Sequence, residues 1–304
     1  METFQTITTQ DIALLNRYFA MRGTRLCNDS AGAAVLWQPY FQDAYLILDD
    51  TLLLREEFPG IGTVYAPPVG ANVEHAYAFL EQTCRESGQP LRFFPVTEPE
   101  LAALRARYTH VETTLLRDWC DYLYDAQDMV QFRGRRYNGQ RNHIHRFQRM
   151  YPDWRFEDVT ADNLPELRAF FETFAARYRK ENETAQVEEQ CVRDFLAHYF
   201  DYAPLGGLLR AGGKIVGFSA GEIVGDTLII HVEKADIAYD GVYQALVNEF
   251  AKRFVTESVQ YINREEDVGD PGVRKSKESY HPLRLLEKYL VEVTLGTHTE
   301  KGRL

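Results

Sequence analysis

The segment INREEDVGDPGVRKSKESYHP, residues 262–282, concentrates charges of both signs around one predicted strand–turn–helix corner. Side chains alternate between the two faces of a strand, so Asn263 and Glu265 should lie on one face and Arg264 on the other. Glu265 to Asp267 form an acidic run that can pair with cations or hold a polar acceptor. The corner is therefore a candidate site for binding a charged substrate.

The helix predicted after this turn begins with Arg274, Lys275 and Lys277. The helix dipole disfavours cations at a helix start, so their position favours another role. They could hold an anion or pair with the preceding acids. Tyr280 ends the helix, and its phenol could protonate a leaving thiolate or alkoxide, or simply pack.

A second candidate lies in IIHVEKADIAYDGVYQALVNEF, residues 229–250. Glu233 is near the end of a predicted strand, where a carboxylate in a cleft could act as general base toward an amine. It could also form a salt bridge with a neighbouring cation. Gly241 lies where a helix should begin, and free N–H groups at a helix start can bind an anion such as a pyrophosphate. An ordinary strand-to-helix connection would look the same.

The segment at 129–149, MVQFRGRRYNGQRNHIHRFQR, contains arginines and histidines but no acid, although the net charge of the chain is −11. Arginine binds phosphates and carboxylates bidentately, which favours a surface for a cofactor pyrophosphate, a nucleotide or an RNA end. The alternative is a solvated helix face. His143 and His145 do not share a helix face, so we expect no metal site.

The 304 residues are 45% apolar and 13% aromatic, enough for a packed core and for two domains. Four separated cysteines without a CxxC pattern indicate reduced thiols, and no signal peptide or membrane-spanning stretch is evident. We therefore expect a cytoplasmic protein without stable membrane insertion. The overall acidity argues against binding nucleic acid through bulk electrostatics.

Each half of the chain is predicted to run helix, β-meander, helix, strand, helix, strand, which is the element order of the GNAT acyltransferase fold. Strand-like runs from 33 to 58 give the first meander, and this copy lacks one N-terminal helix. The predicted fold is α+β: two GNAT-like domains, each a mixed, mostly antiparallel sheet flanked by helices. The predicted boundaries are 1–128 for a degenerate N-terminal domain, 129–152 for the basic connection and 153–304 for the domain with the active cleft.

Three segments together resemble the bacterial phosphatidylglycerol lysyltransferase C-terminal-like family: FRGRRYNGQRNHIHRF, HVEKAD with DGVYQALVNEF, and the corner at 262–282. The resemblance covers nearly the whole chain, and the pattern N-R-E-x-D-x-G-x-x-G-x-R-x-x-K is its most specific part. It implies a tandem GNAT fold related to the Fem-type aminoacyl transferases. It also implies transfer of an acyl or aminoacyl group to an amine or hydroxyl, from acyl-CoA or aminoacyl-tRNA.

The resemblance places donor-side residues at the strand-to-helix junction: Val232, Glu233, Lys234, Ala235, Gly241, Val242 and Tyr243. It places Arg141 and Asn142 on the central R-N pair of the family. It places the other candidate substrate-binding residues on the signature corner: Asn263, Arg264, Glu265, Asp267, Arg274 and Lys275. Glu233 and Tyr280 are the candidate catalytic residues.

Three hypotheses follow. The first is an acyltransferase that uses acyl-CoA, such as acetyl-CoA, with a small-molecule or peptide acceptor and no metal. The second is an aminoacyl-tRNA-dependent transferase, which the basic segment favours. The third is a GNAT-like protein that binds a ligand without catalysis.

Overall fold

The computed structural model describes residues 3–178 and 183–295. Its α-helices are α1 (Ile12–Arg22), α2 (Ala31–Phe41), α3 (Val73–Ser87), α4 (Glu98–Arg107), α5 (Ala126–Gln131), α6 (Asn138–Met150), α7 (Leu164–Arg177), α8 (Glu183–Ala197), α9 (Tyr199–Tyr202), α10 (Val242–Phe254) and α11 (Pro271–Glu278). Its strands are β1 (Gln5–Thr6), β2 (Ala44–Leu48), β3 (Thr51–Phe58), β4 (Gly62–Tyr65), β5 (Val69–Gly70), β6 (Leu91–Val96), β7 (Val111–Leu115), β8 (Asp121–Asp125), β9 (Arg155–Asp158), β10 (Leu205–Ala211), β11 (Lys214–Val224), β12 (Thr227–Ala235), β13 (Tyr261–Asn263), β14 (Arg284–Leu286) and β15 (Tyr289–Val293). Short 3₁₀ turns lie at Thr9–Asp11, Cys27–Asp29, Arg117–Trp119 and Arg135–Tyr137.

One compact unit comprises residues 3–7, 41–117 and 287–295 of the described chain. Its sheet has the order β1-β2-β3-β4-β6-β15-β7, with β5 paired to β3. Only the β4–β6 pair among these is parallel. The helices α3 and α4 pack on this sheet, and Leu80, Phe93 and Val291 lie in their common core.

The other unit comprises residues 8–40 and 118–286. Its sheet has the order β14-β8-β13-β12-β11-β10-β9, and only the β12–β13 pair is parallel. One core contains residues of α2, α7, α8 and the sheet, and α10 packs on the sheet beside α5 and α6. Both units are thus mixed, mostly antiparallel sheets flanked by helices, as predicted for the α+β class.

The neighbouring strands β12 and β13 separate at their carboxyl ends. They are paired from Thr227 with Tyr261 to Ile229 with Asn263. Beyond this point β12 continues along β11 to Ala235, whereas the chain after Asn263 turns away into the charged corner. Side chains rather than backbone hydrogen bonds therefore bridge this gap, and the candidate site lies there.

The predicted meander of the C-terminal half is confirmed as β10, β11 and β12, and it is followed by α10, β13 and α11 as expected. The compact units nevertheless differ from the predicted domain ranges. The final strand, β15, was expected at the end of the domain 153–304 but pairs with β6 and β7. Conversely, β8 lies in the predicted N-terminal domain but pairs with β13 and β14.

The strand-like run predicted to begin at residue 33 is wrong as far as residue 41, because these residues belong to α2. Two helices, α1 and α2, precede the first meander along the chain, but residues 8–40 belong to the other compact unit, so the helix expected to be missing from the first copy stays a prediction. The sequence AGAAVLWQPYF is apolar almost throughout, and a helix that is apolar all round has no period that separates it from a buried strand.

Of the helices described, none is both long and apolar enough to span a membrane. Cys27, Cys84, Cys120 and Cys191 are all present as buried thiols rather than disulfides. The cytoplasmic location stays a prediction.

Candidate active site

Arg264 and Glu233 form an ion pair across the gap between β12 and the corner. The guanidinium donates from Nε at 2.9 Å and from Nη2 at 2.7 Å to Glu233 Oε2. The Arg264 side chain is 5% exposed and that of Glu233 is 14% exposed. Burial opposes the charged guanidinium, but the carboxylate of Glu233 outweighs this and holds the pKa of Arg264 above its ordinary value. Arg264 therefore stays charged, and part of the Glu233 side chain reaches solvent.

Three buried polar atoms of this gap have no hydrogen-bond partner within the described residues: Arg264 Nη1, Glu233 Oε1 and Ser219 Oγ. Ser219 lies opposite Glu233 in the β11–β12 ladder, so both side chains project from the same face. Buried polar groups are nearly always hydrogen-bonded in proteins, and exceptions call for a functional explanation. These three atoms, hereafter the open trio, offer a ligand both donors and an acceptor.

Two tyrosine rings lie against Arg264, which contributes one atom of the open trio. The ring centre of Tyr280 is 4.6 Å from Arg264 Cζ and that of Tyr124 is 5.8 Å away, which are cation–π distances. Burial raises the pKa of Tyr280 well above its ordinary value, so its phenol is neutral at physiological pH and can serve as a proton donor. Tyr243, on α10, also has a raised pKa because of burial, with the charge of Glu233 adding to the effect.

A buried histidine lies next to this pair on β12. The strand pairing passes from Gly221–Ile230 to Ala220–Val232, so His231 is the extra residue of a β-bulge. Its Nδ1 lies 2.8 Å from Glu265 Oε1 and its Nε2 lies 3.2 Å from Glu222 Oε1. Burial disfavours the imidazolium, but the two carboxylates outweigh it and raise the pKa of His231 to about 9.

Further hydrogen bonds complete this imidazolium cluster of Ser30, Glu222, His231 and Glu265. The Ser30 hydroxyl donates to Glu222, and the Gly32 N–H donates to the same carboxylate oxygen at 2.8 Å. Ser30 comes directly before α2, so the start of that helix is attached to the sheet here. The cluster also fixes Glu265, whose φ of 56° lies in the left-handed region, which is unfavourable for a residue with a side chain.

The turn of the corner is held by a second ion pair. Arg274 donates to Asp267 from Nε at 2.9 Å and from Nη2 at 2.7 Å, and the Tyr122 hydroxyl donates to Asp267 at 2.6 Å. Burial favours the neutral acid, but these donors hold the pKa of Asp267 below its ordinary value. Val268 has a φ of 45°, which is rare for a β-branched residue. Strained backbone of this kind clusters at functional sites.

The remaining corner residues have structural or solvent-exposed positions. Asn263 donates to the Arg25 carbonyl at 2.8 Å and accepts from the Glu265 N–H at 2.7 Å. Lys277 donates to the carbonyls of Arg264 and Glu266, which closes the corner, whereas Lys275 is exposed. Arg264 contacts Glu233 and Glu265 contacts His231, but both follow the end of β13 at Asn263, so the alternation predicted from the sequence stays a prediction.

Cys27, Asp121 and Glu266 place atoms of the metal-ligand type within 4.8 Å of one another. Hydrogen bonds account for this group: the Cys27 N–H donates to Asp121 at 2.7 Å, and the Asn263 amide donates to the same oxygen at 2.9 Å. The absence of a metal stays a prediction.

The strand-to-helix junction is closely packed. A side chain at Gly241, where φ is 84°, would lie 2.2 Å from the His143 carbonyl oxygen, so glycine is required for α10 to approach α6. The Val242 N–H already donates to the Tyr239 carbonyl. Asp240, directly before Gly241, pairs with Arg146 at 2.7 Å. Packing therefore explains the glycine without an anion at this helix start.

The other residues predicted at the junction have varied surroundings. Val232, Ala235 and Val242 are buried in apolar clusters, and Lys234 pairs with Glu188 on α8. On α6, the Arg141 guanidinium donates to the backbone carbonyls of Phe132 and Gly134, whereas Asn142 is exposed. The structure thus brings Glu233, Arg264 and Tyr280 together but gives Arg141 a local role.

The sequence analysis did not single out Ser219, Glu222 or His231. Glu222 could have been noticed as an acid within the otherwise apolar strand KIVGFSAGEIV, and His231 as a polar residue in IIHV. Ser219 carries no comparable signal, because serine is common in strands of this type.

Comparisons with known proteins show the family and the fold of this chain. The profile of the family described as phosphatidylglycerol lysyltransferase, C-terminal, matches residues 21–292. A conserved protein of unknown function from Bacteroides thetaiotaomicron is 29% identical, with a TM-score of 0.90 over 97% of this chain and 100% of that chain. L-PGS from Bacillus licheniformis is 15% identical, with a TM-score of 0.66 over 98% of this chain and 96% of that chain.

More distant structures bear on the fold alone. FemX superposes with a TM-score of 0.58 at 10% identity over 96% of this chain and 97% of that chain. A tandem GNAT protein from the clavulanic acid pathway gives 0.51 at 8% identity over 97% of this chain and 100% of that chain. The predicted tandem GNAT-like fold is thereby confirmed.

An uncharacterized protein of Mycoplasmoides gallisepticum is 23% identical over 185 residues, which are 57% of this chain and 56% of that protein. The match thus spans little more than half of that relative. The family profile, by contrast, extends over most of the present chain and includes the whole open trio and the charged corner. The chain therefore belongs to the phosphatidylglycerol lysyltransferase C-terminal family.

Proposed function

We propose that this protein transfers an aminoacyl group from aminoacyl-tRNA to an amine or hydroxyl acceptor, and that the open trio is the reaction site. The observation that carries the proposal is the pairing of an unpartnered guanidinium N–H with an unpartnered carboxylate oxygen, Arg264 Nη1 and Glu233 Oε1. An aminoacyl ester offers the complementary groups, a carbonyl oxygen and an α-ammonium. A simple acyl thioester has only the first.

The proposed step forms a bond from the acceptor nitrogen or oxygen to the ester carbonyl carbon and breaks the bond to the ribose oxygen. Arg264 Nη1 would donate to the carbonyl oxygen as negative charge develops on it. Glu233 would take the proton that the acceptor loses, or hold the α-ammonium of the donor. Tyr280, a neutral phenol in contact with Arg264, would protonate the leaving ribose oxygen.

Two surface features support tRNA rather than coenzyme A as donor. On and before α6, Arg133, Arg135, His145 and Arg149 are exposed and have no ion-pair partner among the described residues. Exposed arginines of this kind suit RNA phosphates. At the start of α10, by contrast, the close packing of Gly241 and the neighbouring carboxylate of Asp240 leave little room for a pyrophosphate.

Acyl-CoA is the second candidate donor. The gap between β12 and β13 supports it, because an extended acyl chain could enter where the two strands separate. The same gap would then place the acyl carbonyl near Arg264.

The test presents the purified protein with radiolabelled lysyl-tRNA, a mixed aminoacyl-tRNA pool or acetyl-CoA. Acceptors are phosphatidylglycerol vesicles and hydroxylamine, a small general nucleophile. We expect release of label from aminoacyl-tRNA to an acceptor and no consumption of acetyl-CoA. Glu233→Gln should lower kcat if Glu233 is the base and raise KM if it holds the ammonium. Glu257→Gln, at an exposed glutamate of the same unit, is the control.

Consumption of acetyl-CoA with inert aminoacyl-tRNA would overturn the proposed donor. Binding of aminoacyl-tRNA without turnover with any acceptor would favour a non-catalytic role instead.

A further inference from the structure

An open cavity of about 580 Å³ lies at the end of α7, bordered by the start of β11 and by the loop between β12 and α10. Five of its thirteen lining residues are aromatic: Tyr151, Phe170, Phe174, Tyr178 and Tyr239. All five rings are half-buried rather than enclosed in the core. The volume is in the range of small-ligand sites in proteins.

Four of these rings form two pairs, and the ring planes within each pair are tilted by about 50°. Tyr151 and Tyr239 have centres 5.0 Å apart, and Phe174 and Tyr178 have centres 5.1 Å apart. Asp236 fixes this wall, because it accepts hydrogen bonds from the Tyr178 hydroxyl and from Arg177, both at 2.6 Å. A wall of fixed aromatic rings favours a flat ring as ligand, since planar groups stack on it.

The charges at the cavity favour an anion beside that ring. Glu166 is paired with Arg210, and Asp236 with Arg177. Lys214 is exposed at the rim and has no ion-pair partner among the described residues. Its ammonium is therefore available to a phosphate attached to a stacked ring.

The cavity also continues the basic surface of α6. His145 and Arg149 are four residues apart on one exposed face of this helix. Tyr151 follows directly after the helix and lines the cavity. A phosphate chain that lies along α6 would thus reach the aromatic wall at its end.

We propose that this cavity binds the unpaired terminal adenosine of the tRNA donor, with the base against the aromatic wall and a backbone phosphate at Lys214. The proposal rests on the proposed function and names the part of the donor that the enzyme holds. Single-stranded nucleic acids are recognised in this way, by aromatic stacking beside a cationic groove. Tyr239 of the cavity wall and Tyr243 of α10 pack against the same apolar cluster, which places the cavity beside the strand-to-helix junction that follows Glu233.

The experiment compares the binding of an uncharged tRNA with that of the same tRNA lacking its 3′-terminal adenosine. The wild-type protein should bind the complete tRNA about tenfold to a hundredfold more tightly, the range expected from stacking of one base. The Tyr239→Leu variant should bind the complete and the truncated tRNA with the same affinity. That affinity should equal the affinity of the wild-type protein for the truncated tRNA. Lys214→Gln, at an exposed residue at the start of β11, should reduce the preference in the same direction.

Two variants serve as controls. Phe200→Leu removes an exposed aromatic ring outside the cavity and should keep the full preference. The Arg149→Gln variant should bind both RNAs more weakly, by the same factor. The slope of the logarithm of affinity against the logarithm of salt concentration should fall in magnitude by about one, the value for one phosphate contact.

Equal wild-type binding of both RNAs, or an unchanged preference in Tyr239→Leu, would overturn the assignment of the cavity while leaving a tRNA-dependent function in place. If the wild-type protein bound neither RNA, the proposed function itself would fail.

Discussion

Raising the pH should selectively destabilise the unit that contains the imidazolium cluster. His231 has an ordinary pKa of 6.5 when unfolded and a pKa of about 9 in the folded protein. A group with a raised folded pKa contributes its full stabilisation below pH 6.5, and this is lost as the pH rises through about 9. At 1.36 kcal/mol per pH unit, the difference corresponds to about 3 kcal/mol of unfolding free energy.

The groups that face His231 are carboxylates from two different elements, Glu222 on β11 and Glu265 in the corner, and the Ser30 hydroxyl. Removing one carboxylate should weaken the preference for the imidazolium. Glu265→Gln should therefore move the pH-dependent loss of stability to lower pH, and it tests the same claim without replacing the histidine.

Urea denaturation between pH 6 and pH 10 measures this effect, with tryptophan fluorescence as the signal. Trp37, Trp119 and Trp154, the three tryptophans of the chain, all lie in the same unit as His231. The stability difference between wild type and His231→Gln should shrink by about 3 kcal/mol over this range. His145→Gln, at an exposed histidine, should give a constant difference. A constant difference for His231→Gln would refute the buried imidazolium.

Further substitutions test the corner and the junction. Gly241→Ala should destabilise the protein by about 2 kcal/mol more than Gly213→Ala in thermal or urea unfolding, because both have left-handed φ angles but only the first would contact a carbonyl oxygen. Asp267→Asn should cost about 2 kcal/mol of stability, because the buried Tyr122 hydroxyl loses its charged acceptor, whereas Arg274 is partly exposed and keeps Asp118 as a partner. Tyr122→Phe, which removes one donor, should cost about 1 kcal/mol.

Local patterns predicted the elements that have clear end signals. Asn72 caps α3 by accepting from the His75 N–H, and Gly88 ends that helix with a φ of 67°. The three strands of the second meander are joined by glycine turns that the sequence shows directly. Helix α2 was missed because its residues are apolar on every side, so its sequence has no helical period.

Pairings between distant residues could not be predicted from local patterns. Asp121 and Asn263 contact each other although 142 positions separate them. Contacts of this kind also place β8 and β15 in sheets other than those predicted from their positions in the sequence. The different partners of Arg264 and Glu265 were also not predictable, because both residues follow the end of β13 and Glu265 has a left-handed φ. Nor was the position of His231, since a bulge changes the direction of its side chain.

Binding of an aminoacyl group at the open trio can be observed in a crystal structure with a non-hydrolysable analogue, lysine linked by an amide to the 3′ position of 3′-deoxyadenosine. We predict the amide carbonyl oxygen within hydrogen-bond distance of Arg264 Nη1 and the α-ammonium against Glu233 Oε1. An analogue that binds elsewhere and makes no contact with Arg264 or Glu233 would show that the open trio does not bind the aminoacyl group.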